Sequence, residues 1–378
     1  MSLHTVGVFG TSRKKQEKRV PIHPDQLDWI DENIKKHLFF EEGYGLPFGM
    51  TDNQLAAMCG GVLSRTNLFQ QCDIALLAKP VQKDFEDMKE GTILWGWPHC
   101  VQQRAITQTA IDQKLTLIAW EAMHRWSNNG DWQMHVFHKN NEIAGYAGVH
   151  HAMNLMGIDG NYGPNRKAVV ISFGSVSRGA IRALQARGIQ DITVYTQRHY
   201  FLVADQMAGV NYYQFEEVEN GTMRSLHPDH QDCPLVEVLV EADIIVNGML
   251  QDTDKPLMLV PEDQNDRLKP GCLIVDISCD EGMGFSFAKP TDFITPIFKA
   301  GKVYYYAVDH TPSYLWNAAT WEISNSLIPY LPIIMGGPEK WKESETIRRA
   351  IEIKDGIIQN PKITSFQKRA TIYPHVEL

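Results

Sequence analysis

The chain has 378 residues, 43% apolar and 21% charged, an ordinary globular mixture long enough for two domains of roughly 150 residues each. Its 36 Lys and Arg against 45 Asp and Glu leave a net charge of -9 without a basic tract, which argues against sequence-independent nucleic-acid binding through phosphate contacts. The most apolar stretch, residues 327–335, carries Pro329 and Pro332 and falls short of the roughly 20 residues a bilayer requires, so no membrane partner is expected.

The opening MSLHTVGVFG has no basic region ahead of an apolar core and is expected to be a first strand, with no signal peptide. Short apolar runs then alternate with amphipathic stretches, the pattern of βαβ units on a parallel sheet. Strands are expected at residues 5–9, 38–41, 74–77, 92–94 and 115–118, with helices at 24–33 and 102–113. Residues 120–139 read as an irregular excursion or hairpin, and 142–156 as a helix rich in small residues. The loop GIDGNYGPNR at 157–166 marks a domain boundary, after which KAVVISF opens a second α/β unit. Further strands are expected at 192–195, 242–247 and 272–277. Residues 312–331 read as a long helix and 339–353 as a short amphipathic one. The expected fold class is α/β: two Rossmann-like domains with a cleft between them, the first discontinuous. Residues 1–145 and 320–378 would form the substrate domain and 146–319 the dinucleotide-binding domain.

The six cysteines show no C-x-x-C pair, so reduced thiols in a cytoplasmic enzyme are expected. The fourteen histidines lack Cys or carboxylate partners at zinc-site spacing, and no metal is expected.

The strand-turn-helix VVISFGSVSRGAIRAL has the context of a dinucleotide-binding turn, with Ser172, Gly174 and Ser177 at the three glycine positions. Gly174 would let the pyrophosphate approach the backbone, and the following helix N-terminus, Ser175, Val176, Ser177 and Arg178, would offer N–H groups to that anion. Taken by itself the pattern also suits an ordinary strand-to-helix turn. At the tip of the next strand, where a carboxylate would bind the NAD ribose, stand Thr196, Gln197 and Arg198. A guanidinium there suits a 2′-phosphate, so NADP(H) is the expected cofactor, with NAD(H) the alternative. The competing reading of Arg198 is a solvated loop cation.

KKQEKRVPIHPDQL, ALLAKP, WGWPHC, ADIIVNGML and LIVDISCDEGMGF, in that order, resemble the motifs of the alanine dehydrogenase/transhydrogenase N-terminal superfamily. AVDHTPSYLWNAAT departs from the alanine dehydrogenase segment; its D-H-x-P-S is similar to that of lysine-forming saccharopine dehydrogenases. The run DISCDEGMGFSFAKPT, with YYYAVDHTPSYLWNAATWEIS, most resembles the N5-(carboxyethyl)ornithine synthase family. That resemblance implies NADPH-dependent reductive condensation of pyruvate with the side-chain amine of ornithine or lysine, and a homo-oligomer. The alternatives are a saccharopine- or alanine-dehydrogenase-like oxidoreductase, or a nucleotide-binding regulator without catalysis.

The resemblance also implies roles. Arg19 would bind the keto-acid carboxylate, the alternative being a salt bridge to Glu17 or Asp25. Lys79 and His99 would polarise the carbonyl and shuttle protons, the alternatives being a solvated strand-end lysine and a packed histidine. Asp280 would lie near the nicotinamide ribose or substrate amine. Asp309 and His310 would meet ribose or amine, and Asn247 the cofactor, with loop and turn roles as alternatives. Glu121 and Lys139 match more loosely, Lys139 lying near the basic residue with which saccharopine enzymes bind a second carboxylate.

Overall fold

A computed structural model describes residues 3–218, 223–226, 232–251, 256–279 and 281–378. The chain divides into two compact units, Met1–His138 with Trp316–Leu378, and Lys139–Leu315.

The first unit begins with parallel strands β1 (Val6–Val8), β2 (Leu38–Glu41), β3 (Gly61–Leu63), β4 (Ile74–Leu77), β5 (Ile93–Gly96) and β6 (Thr116–Ala119). Both faces are covered, so β1, β4, β5 and β6 are near-continuous apolar runs buried at nearly every position. The strand order β3-β2-β1-β4-β5-β6 reverses direction between β1 and β4. At such a switch point the connections leave the carboxyl ends of the strands to opposite faces and open a crevice. Residues 120–139 form a 3-10 turn (Trp120–Ala122) and the hairpin β7 (His124–Trp126) and β8 (Trp132–His135).

The second unit repeats the logic. Its strands are β9 (Lys167–Ile171), β10 (Asp191–Thr196), β11 (Asn211–Glu217), β12 (Met223–Leu226), β13 (Cys233–Pro234), β14 (Ile244–Asn247), β15 (Met258–Val260), β16 (Leu273–Asp276), β17 (Gly284–Phe285), β18 (Ile297–Ala300) and β19 (Val303–Tyr306). Nine of them form one sheet, ordered β13-β12-β11-β10-β9-β14-β16-β19-β18, with its switch point between β9 and β14. The helix His138–Met156 crosses the helix Ser175–Ala186 at glycines. A Cβ on Gly179 would lie 1.7 Å from the Glu142 carbonyl oxygen, and one on Gly145 1.9 Å from that of Val176. No other residue permits that approach.

The tail then rejoins the first sheet. Residues 312–331 are not one helix: a 3-10 turn (Thr311–Leu315) leads into Trp316–Leu327, and Pro329 and Pro332 split the next residues into Ile328–Tyr330 and Leu331–Met335. Nor are residues 339–353 one helix. Two short helices, Pro338–Trp341 and Glu345–Ala350, precede strand β20 (Ile351–Lys354), which pairs antiparallel with β6 and carries β21 (Ile357–Ile358) at its other edge. A final helix spans Pro361–Gln367. Among the described residues, no helix is long and apolar enough to cross a membrane.

Candidate functional site

In the first unit, Lys79, His99 and Glu121 come after the carboxyl ends of the adjacent strands β4, β5 and β6, and Glu17 and Arg19 lie in the loop after β1. The parallel sheet therefore delivers residues far apart in sequence to one edge. Pro80 ends the run that carries Lys79, and a Cβ on Gly96 would lie 2.0 Å from the Leu77 carbonyl oxygen, so glycine lets β5 close against the strand that carries the lysine.

The Lys79 Nζ lies 2.6 Å from His99 Nε2. A contact this short needs one proton between the nitrogens, donated either by the ammonium to a bare ring nitrogen or by the ring N–H to a neutral amine. On the other side, the His99 backbone N–H donates to Glu121 Oε1 at 2.7 Å, and that oxygen lies 3.7 Å from His99 Nδ1. Burial, with Lys14 and Arg19 adding like charge, brings Lys79 down to about 8. Burial lifts Glu121 to about 7, with Glu352 reinforcing it. Among the described residues, Glu121 Oε2 is shut off from solvent without a hydrogen-bond partner.

Arg19 is buried and lies in bidentate contact with Glu17, Nε donating to Oε1 at 2.8 Å and Nη2 to Oε2 at 2.6 Å. Its guanidinium carbon lies 5.1 Å, and Lys79 Nζ 5.6 Å, from the centroid of the Trp97 ring, a π face that attracts both cations. Trp97, Trp120 and Phe137 pack ring against ring.

In the second unit, Gly174 caps the twelve-residue helix Ser175–Ala186 without any side-chain cap hydrogen bond. The first N–H groups, at Ser175, Val176 and Ser177, thus have no intrahelical acceptor and face the turn. A Cβ on Gly174 would meet nothing within 4 Å, so the turn has open space in front of it. Ser172 takes φ +78°, the left-handed region. A nicotinamide dinucleotide's pyrophosphate fits this cradle. Arg198 is exposed at the end of β10; its Nη2 donates to the Phe173 carbonyl at 3.0 Å, and its backbone N–H to Thr196 Oγ1 at 3.4 Å. The guanidinium is thereby held against the turn at residues 172–174.

Other expected site residues are engaged differently. Arg178 does not aim its side chain into the turn; it donates to the Asp205 and Ala204 carbonyls, both at 2.8 Å, and packs on Phe173. Asn247 is fully buried, donating to Asp276 Oδ1 at 3.2 Å and accepting the Met249 N–H at 3.2 Å, so its amide organises the end of β14. Asp309 Oδ1 contacts His310 Nδ1, and His310 Nε2 is buried without a partner among the described residues. Lys139 lies 3.2 Å from both Glu142 oxygens. Asp280 lies outside the described residues. Among these residues there is no group of three or more His, Cys, Asp or Glu that could hold a metal.

The alanine dehydrogenase/PNT C-terminal domain matches residues 165–361 and its N-terminal domain residues 11–144. The chain belongs to the alanine dehydrogenase/PNT family. Family membership makes it an NAD(P)-dependent oxidoreductase acting on amino acids. Relatives include an N(5)-(carboxyethyl)ornithine synthase of Clostridium botulinum, 26% identical over 82% of this chain and 88% of that protein. An alanine dehydrogenase of Mycobacterium tuberculosis is 23% identical over 85% of each. Among solved structures, an L-alanine dehydrogenase matches with TM-score 0.76 at 18% identity over 96% of this chain and 98% of that one. A transhydrogenase from Sinorhizobium meliloti matches with TM-score 0.70 at 16% identity, over 94% and 99%. Both share the fold.

Proposed function

We propose that this alanine dehydrogenase/PNT family member joins a small 2-keto acid, pyruvate, to the side-chain amine of ornithine or lysine and reduces the product with NADPH. The observation that carries the chemistry is the Lys79–His99 contact of 2.6 Å. Attack of a neutral amine on the keto carbonyl gives a carbinolamine, and loss of water gives an imine. The first step moves a proton from nitrogen to oxygen; the second delivers one to the departing hydroxyl. Lys79 and His99 share a proton at the distance both steps need. Burial holds the lysine near 8, so it gives up that proton near neutrality. Arg19, fixed by Glu17 over Trp97, binds the keto-acid carboxylate. The family resemblance assigns Asp280 and His310 to the substrate amine or the nicotinamide ribose. Sequence departures from alanine dehydrogenase, D-H-x-P-S at 309–313 and Met283 in DEGMG, favour an amino-acid amine over ammonia.

In the second unit, Gly174 and the N–H groups of residues 175–177 would hold the pyrophosphate, and Arg198 would take the 2′-phosphate. A nicotinamide bound there would supply the hydride that reduces the imine.

The product identifies the reaction. Incubation with pyruvate, ornithine and NADPH deuterated at the transferable position should yield a mass equal to both substrates less water plus HD. The deuterium, delivered as deuteride, should sit on the former carbonyl carbon. Deuterated alanine formed from pyruvate and ammonia, with no secondary amine, would refute the proposal.

A further inference from the structure

His99 sits at φ +48°, in the left-handed region that a residue with a Cβ rarely adopts. Such a conformation persists only where its surroundings over-determine it. On the N-terminal side the Glu121 carboxylate takes the His99 N–H. On the C-terminal side the restraint comes from the end of the chain. Gln367 has no exposed surface; its Nε2 donates to the Cys100 carbonyl at 2.7 Å and the Val101 carbonyl at 3.0 Å, and lies 3.2 Å from Thr107 Oγ1. Thr107 Oγ1 donates to the same Cys100 carbonyl at 2.7 Å. Gln367 is itself clamped: its Oε1 accepts from Arg369 Nε at 2.7 Å and its carbonyl from Arg104 Nη1 at 3.1 Å. Arg369, buried, is tied in turn to Gln108 and Glu377. On β20, Glu352 accepts from Asn360 Nδ2 at 2.7 Å and lies 3.6 Å from Cys100 Sγ.

We infer that Gln367 is a positioning residue for His99, holding the turn after β5 so that the imidazole meets Lys79. The inference rests on the reading of His99 as a proton carrier. Burial requires both ends of the amide to be hydrogen-bonded, and the partners that satisfy its nitrogen are the backbone carbonyls of Cys100 and Val101. The two carbonyls it holds belong to the two residues after His99, so their displacement rotates the imidazole directly. Misplacement of a reacting group by about 1 Å costs about 10²-fold in rate.

Gln367→Glu keeps the size and the bond from Arg369 but turns the donor facing the two carbonyls into an acceptor. With pyruvate, ornithine and NADPH, kcat should fall about 10²-fold, with the NADPH dissociation constant unchanged. In a His99→Ala background the same substitution should change residual kcat by less than about two-fold, since the two act as one unit. Independently, the His99 Cε1–H NMR resonance, assigned by its loss in His99→Ala, should change position in Thr107→Val, which adds no charge and removes the other donor to the Cys100 carbonyl. An unchanged kcat, a full multiplicative loss in the His99→Ala background, or an unmoved resonance would each overturn the inference. Wild-type turnover by His99→Ala would instead overturn the role given to His99, while the NMR resonance still tests the brace. If Gln367→Glu does not fold, Thr107→Val removes the other donor to the Cys100 carbonyl and carries the same test.

Discussion

Lys79 Nζ and His99 Nε2 stand 2.6 Å apart, at the ends of neighbouring parallel strands. Removing the imidazole breaks the path by which Lys79 passes a proton along this contact. His99→Ala should lower kcat by about 10²- to 10⁴-fold, with NADPH affinity, read by fluorescence titration, unaltered. Single-turnover absorbance at the NADPH band separates chemistry from product release.

The pH profile should carry two limbs. Glu121 lies near 7 and Lys79 near 8, and such neighbours titrate as a set. kcat/KM should pass through a maximum between them, and Glu121→Gln should flatten the acidic limb. Stability follows the same sign. A carboxyl raised above its unfolded value stabilises the fold at low pH, and that contribution is lost as pH rises through about 7. Glu121→Gln should therefore be the more stable protein above that pH in thermal melts. Equal melting temperatures at pH 8.5, an arbitrary point about 1.5 units above, would contradict the assignment.

Arg198 should set coenzyme preference. Loss of a charged hydrogen bond to phosphate costs about 1.5–3 kcal/mol, so Arg198→Ala should lower kcat/KM for NADPH by about 10- to 100-fold. NADH efficiency should hardly move. Steady-state kinetics with both coenzymes give the ratio, and an equal wild-type preference would sink the idea.

Two glycines, Gly174 capping the helix Ser175–Ala186 and Gly179 within it, should separate binding from packing. At Gly179 a Cβ would lie 1.7 Å from the Glu142 backbone, whereas at Gly174 it would enter open space. Gly179→Ala should lose about 1–3 kcal/mol of stability or more. Gly174→Ala should melt within about 0.5 kcal/mol of wild type yet weaken NADPH binding about tenfold or more, because its methyl occupies the pyrophosphate's approach.

Much of this was legible in the sequence because it is local. Short continuous apolar runs mark β4, β5, β9 and β10, and Pro80 and Gly174 mark where those or adjoining runs end. The 3-10 turn Pro24–Trp29 stands where a helix was expected, since Pro24 starts a turn but Ile30 leaves it extended. The tail was not legible: Glu345–Ala350 has helical spacing, and IEIK is too short an alternation to announce β20, whose partner β6 lies more than 200 residues earlier. The site divides the same way. Arg19, Lys79 and His99 sit in recognisable local motifs, while Glu121 belongs to a loosely patterned stretch. The Glu17–Arg19 pair, read from sequence only as an alternative, is the contact the fold builds. Gln367 reaches Cys100 across 267 residues, a relationship no local pattern encodes.

The central claim is a secondary amine made from a keto acid and an amino-acid side chain. NADPH oxidation should be measured with pyruvate or 2-oxoglutarate, each paired with ornithine, lysine or ammonia. The account predicts turnover with pyruvate and ornithine or lysine and none with ammonia. Efficient oxidation with pyruvate and ammonia alone would contradict it.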